Sequence, residues 1–62
     1  MKVVVEFETL NAAFEDDFEG EVESVLEQAK DEILLCRDNN IRGSGVLRDV
    51  NGNTVGTVSV VD

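Results

Sequence analysis

Between residues 16 and 37 the apolar residues Phe18, Val22, Val25, Leu26, Ala29, Ile33 and Cys36 recur at three- and four-residue steps. At 100° per residue they fall within about 100° of arc, which predicts an amphipathic helix of roughly five turns. Such a stripe needs a surface to lie on, and the flanking segments must supply it. Asp16, followed by Glu19 three residues later, gives a capping-box-like start. Arg37 suits the negative end of the helix dipole, and Asn39 or Asn40 can take the left-handed position that ends the helix. Gly20 in the first turn costs about 1 kcal/mol relative to alanine, which is tolerable near an end.

The flanks read as strands. Residues 2–9 place Val3, Val5 and Phe7 on one face and Val4, Glu6 and Glu8 on the other, the alternation of a half-buried strand. "LNAAFE" is a connection or a short turn of helix. Residues 41–50 and 53–61 flank Asn51-Gly52, a strong hairpin signal. Two turns fit there, one centred on Asn51-Gly52 and one running from Asp49 to a glycine bulge at Gly52. They differ by one residue of register and leave the hairpin faces open. Residues 53–61 carry no charge, as suits a central strand. The expectation is a single α+β domain over 1–62 with the order β-α-β-β. One amphipathic helix (16–37) packs on a three-stranded, mostly antiparallel sheet, with the last strand in the middle and the first beside it. One helix covers one sheet face, so several of Val4, Val46, Val50, Val55 and Val61 should line an open face. Leu34 and Leu35 also fall outside the apolar stripe, either under a returning chain or, with Val4, as contacts for a second copy or another partner.

A 62-residue chain buries only about 60 % of the surface it exposes when unfolded, so outside help with stability is expected. The single cysteine, Cys36, forms no internal disulfide, and without histidine no familiar zinc site can be assembled. Association remains, and a homodimer is expected. "MKVVVEF" is too short and too soon acidic for a signal peptide, and no apolar run approaches the roughly 18 residues of a membrane span. A cytoplasmic protein of a bacterial or phage-infected cell is the expectation.

Charge separates the two halves. Residues 1–32 hold eleven acids against Lys2 and Lys30, whereas residues 33–62 balance three arginines with three aspartates. The whole net charge of −9 therefore sits in the first half, a field that repels nucleic acids and anionic membranes and attracts basic surfaces. Glu19, Glu23, Glu27 and Asp31 follow an i, i+4 row away from the apolar stripe, while Glu21 and Glu32 flank its other side. Each like-charge neighbour in such a row costs about 0.2–0.5 kcal/mol, which lysines would have avoided. The row either keeps the protein soluble or binds a basic partner, with Asp16 and Glu32 added to that binding set. Residues 15–32 hold nine carboxylates. Along one continuous helix they would lie one per roughly 3 Å of axis, near the phosphate density of a DNA strand, so nucleic-acid mimicry is one form the binding could take.

No catalytic, metal or cofactor site is predicted. "DVNGNTV" opens like a calcium loop but has Thr54 and Val60 where Gly and Glu are required. "GSG" at 43–45 lacks the remaining glycine of a dinucleotide fingerprint and the lysine of a phosphate loop, and marks a bulge or a strand entrance. Cys36 lies on the apolar stripe with no histidine to activate it. Clustered exposed acids lack the burial that separates a catalytic pair. The expectation is a non-enzymatic inhibitor or decoy that binds a basic, nucleic-acid-binding surface of a target protein. In general character it would be like phage proteins that blunt host defence. The alternative is a structural or adaptor module that docks through the open sheet face.

Overall fold

The computed structural model describes all 62 residues. In chain order the elements are β1 (Lys2–Phe7), α1 (Ala12–Asp16), α2 (Phe18–Asp38), β2 (Gly43–Arg48) and β3 (Thr54–Val61). The strands form one antiparallel sheet in the order β1-β3-β2. The expected α+β fold is thus the one observed, with the uncharged last strand in the centre. The connection after β1 is ordered as a short helix, α1.

Register settles the faces. Val58 lies opposite Val5 on one side and Gly45 on the other, and Val60 opposite Val3 and Gly43. Because side chains alternate along a strand, Val3, Val5, Phe7, Leu47, Val58 and Val60 share the inward face. Val4, Val46 and Val61 point outward, mixed with Lys2, Glu6, Ser44, Thr57 and Ser59. Val55 is not on this open face. The ladder is irregular between Leu47, paired with Gly56, and Arg48, paired with Thr54, and Val55 is buried in the core. Val50 belongs to the hairpin turn and is exposed.

That turn is the second of the two considered. Gly52 N–H donates to the Asp49 carbonyl at 3.0 Å, Gly52 has φ +85°, and Asn51 keeps a negative φ. This is a type I turn over Asp49–Gly52 closed by a left-handed glycine. The end of α2 also follows expectation. Asn40 takes φ 52°, Ile41 N–H donates to the Cys36 carbonyl and Asn40 N–H to that of Arg37, a Schellman closure. Its start is displaced by one residue: Asp16 ends α1, and Asp17 is the N-cap, its side chain accepting from Gly20 N–H at 3.1 Å.

Helix α2 runs antiparallel to β2 and lies over β2 and β3. The central core cluster is Phe14, Val25, Ala29, Leu47, Val55 and Val58, with Val5, Phe7, Val22 and Ile33 packed around it, and Ala13, Cys36 and Val60 are buried beside it. Phe14 stacks on Phe7 at 6.2 Å and meets Phe18 edge-on at 6.3 Å, which fixes α1 at the start of α2. Covering β2 and β3 leaves the inward row of β1 only partly sheltered, with Val3 38 % exposed. No helix is long and apolar enough to cross a membrane.

Gly56 lies directly against the backbone of β1. A methyl group there would meet the Glu6 carbonyl oxygen and lie 2.5 Å from Phe7 Cα. Backbone atoms cannot swing aside as a side chain can. Gly56→Ala should therefore pry β1 from β3 and cost about 3 kcal/mol or more, at the upper end of overpacking penalties. Chemical denaturation of the two proteins would measure it.

Candidate functional site

Polar contacts fix the roll of α2 about its axis. Gln28 pairs with the bulged end of β2 as a strand would: its Nε2 donates to the Arg48 carbonyl at 2.8 Å and its Oε1 accepts from Arg48 N–H at 2.9 Å. About two turns earlier, Glu21 Oε1 accepts from Val50 N–H at 3.2 Å. Glu21 is only 6 % exposed, and its Oε2 is buried without a partner. Toward the other end, Glu32 lies over Gly45 and Cys36 lies nearest Gly43. The two glycines begin β2 on its inward face and leave room for these side chains.

The hairpin turn beneath Glu21 is organised by Asp49. Its Oδ1 accepts from Asn51 N–H and Asn53 N–H, each at 2.9 Å. Its Oδ2 accepts from Asn11 Nδ2 at 3.0 Å and Asn53 Nδ2 at 3.2 Å. The Asn11 hydrogen bond, helped by those from Asn53 and Asn51, lowers the Asp49 pKa against the opposing effect of burial. The D-x-N-x-N string that opens like a calcium loop thus has its aspartate satisfied by amide donors. No group of three or more acidic, cysteine or histidine side chains is placed to hold a metal ion.

The consequence for α2 is an offset between its apolar stripe and its buried face. Val25, Ala29 and Cys36 are buried, but so is Glu21, with Gln28 and Glu32 half-buried beside it. Phe18 is 56 % exposed and Leu26 48 %. On the helical wheel the buried arc is turned by about 40° from the centre of the apolar residues. The reading of Phe18 and Leu26 as core is therefore corrected, and Glu32 does not join a surface ridge.

The other candidate residues separate as follows. Glu19, Glu23, Glu27 and Asp31 all lie exposed along the outer side of α2. Their four-residue steps correspond to about 6 Å of axis each, nearly twice the phosphate spacing of a DNA strand. The denser estimate fails because Glu15 and Asp16 belong to α1 and Glu21 is buried. Asp16 is exposed but stands off the row. Leu34 and Leu35 are exposed on α2, which continues past them to Asp38, whereas Val4 is on the outward sheet face. These three do not form one surface. A shallow, open groove runs along the surface of α2 between its ridge Phe18, Val22 and Leu26 and its ridge of acids Glu19, Glu23 and Glu27, with Lys30 at its end. Alternation and helical spacing could locate the row but not this groove, because the helix roll depends on Gln28 and Glu21 meeting backbone groups of another element.

One cation serves the row. Lys30 Nζ donates to Glu27 Oε1 at 2.6 Å, and this hydrogen bond, with the charge of the same carboxylate, raises the Lys30 pKa. The other ion pairs, Arg37 with Asp38 and Arg42 with Asp62, lie elsewhere, and Arg48 donates to the Gly52 carbonyl and Thr54 Oγ1. All three pairs are exposed and contribute little to stability. Against protein-family models, curated proteins and solved structures, the chain finds no match.

Two measurements test this account. Gln28→Ala leaves both backbone groups of Arg48 without their partner and should cost about 1–2 kcal/mol in denaturant unfolding. Asp49 contributes stability above the ordinary carboxylate pKa of about 3.9, and loses it as pH falls through its lowered folded-state value. The melting temperature of Asp49→Asn should therefore lie below the parent's near neutrality, with the gap closing under acid.

Proposed function

We propose that the protein is a non-enzymatic binding protein whose acidic helix engages a basic surface of another protein. The observation that carries this reading is the row Glu19, Glu23, Glu27 and Asp31, exposed along one side of α2 with Lys30 as its one countercharge. All three arginines interact elsewhere, so beyond the Lys30–Glu27 pair no ion pair reaches the row. A helix that needed only to be soluble would gain by alternating lysine with glutamate. Retaining a one-sign edge beside a marginal core is reasonable where that edge meets positive charge. Such complementarity steers encounter and selects partners.

The target surface that fits is one that also receives nucleic acid, since it presents clustered arginine and lysine. An inhibitor or decoy of a nucleic-acid-handling protein, of the phage anti-defence type, is the specific form of the proposal. The spacing of the row supports general charge complementarity more than imitation of a phosphate backbone. A second reading rests on Val4, Val46 and Val61 on the outward sheet face, which would serve self-association into a dimer, the acids then giving solubility alone.

The proposal is tested with the immobilised protein and a variant in which Glu19, Glu23, Glu27 and Asp31 are changed to glutamine. A basic nucleic-acid-binding protein should be captured at low salt and released by soluble duplex DNA. Its affinity should fall about tenfold or more at moderate salt and in the variant. A partner held equally by both baits at both salt concentrations would reject the acidic helix as the binding element.

A further inference from the structure

Building on the proposed acidic binding edge, we infer that the groove along the first half of α2 receives a basic amphipathic helix, its apolar residues entering beside Phe18, Val22 and Leu26 and its lysines or arginines lying along Glu19, Glu23 and Glu27. The groove has two chemically distinct sides. Phe18 and Leu26 are about half exposed, and Val22 joins them to the core. The acids stand in one row on the solvent side, and Lys30, held by Glu27, closes the far end. From Phe18 to Leu26 the axis rises about 12 Å, which two to three turns of a partner helix would cover. A helix laid in a groove is read through apolar anchors at i, i+3/i+4 and i+7.

Three observations select this occupant. The exposed apolar residues are a continuous part of the stripe that the roll of α2 turned away from the core, so they are ready to be covered without rearrangement. Their border is acidic on the open side, which favours a cation-flanked partner over a neutral one. A second copy is disfavoured in the same place, because it would bring two rows of glutamates together in chains of net charge −9. Charge alone does not describe the site either, since a partner without apolar anchors would leave Phe18 and Leu26 wet.

The test titrates the full chain with three probes: a leucine–lysine peptide with leucines at helical spacing, the same composition scrambled, and polylysine of equal charge. The ordered peptide should bind about tenfold tighter than the scrambled one, and Leu26→Ala should remove about that advantage. Replacing Glu19, Glu23 and Glu27 by glutamine should weaken every basic probe and flatten its salt dependence. Leu10→Ala, an exposed loop change, should leave binding unaltered, and circular dichroism would confirm that each variant folds. Equal binding of all three probes would overturn the groove and leave the acidic edge standing. Failure of every basic probe would overturn both. Concentration-dependent association that Leu26→Ala abolishes would assign the groove to a second copy and overturn the proposal.

Discussion

The pairing of one side-chain amide with one backbone residue governs much of this molecule. Gln28 meets both polar groups of Arg48 where the β2–β3 ladder is irregular. Those backbone groups would otherwise be without a partner from the neighbouring strand. Satisfying them from α2 fixes how the helix is rolled, and the Glu21–Val50 contact holds the same roll nearer its start. Burial then follows polar geometry as well as hydrophobicity. Phe18 and Leu26 are left half in water while a carboxylate is taken inside, an arrangement that apolar packing alone would reverse.

Patterns that depend on a single element were readable from the residues. The alternation in β1, the helical recurrence across α2 and the lack of charge in β3 led to the observed strand order. Gly52 and one of Asn39 and Asn40 were legible as left-handed positions because few residue types adopt that conformation readily, and the structure gives the second to Asn40. What escaped were relations between elements. Asp16 looks as good a cap as Asp17 until α1 claims it. The helical wheel sets Glu21 beside the apolar stripe, apart from Glu19, but nothing in the sequence marks it as buried, and only the hairpin turn after β2 makes it a buried acceptor. The row of acids was legible residue by residue, but the groove beside it was not, since it exists through the roll that Gln28 imposes.

The core is small, nine buried apolar residues of which six form one cluster with four more packed around it. A chain of this size has a stability of roughly 3–9 kcal/mol by the usual value per residue. Against that, a buried carboxylate oxygen without a partner and a like-charged helix edge are substantial concessions. Asp49 works in the opposite sense, gathering four donors from the turn and from Asn11 so that the segment after β1 and the β2–β3 hairpin are held at one point. Closure of distant segments by a single side chain is an economical way to order loops where there is little apolar surface to do so.

The pairing of β1 with β3 has a consequence for how the protein can be displayed. Lys2 faces Val61, so the two chain ends emerge side by side. They do so at the end of the sheet where Gly43 meets Cys36, beside the last turns of α2. Phe18 and the acidic groove begin at the opposite end of a body 37 Å long and about 16 Å across. The molecule is therefore polar in the mechanical sense, with its two ends at one pole and the acidic start of α2 at the other. Anything joined to either end hangs from the first and leaves the second pointing outward, so the protein can be tethered without covering the proposed binding edge.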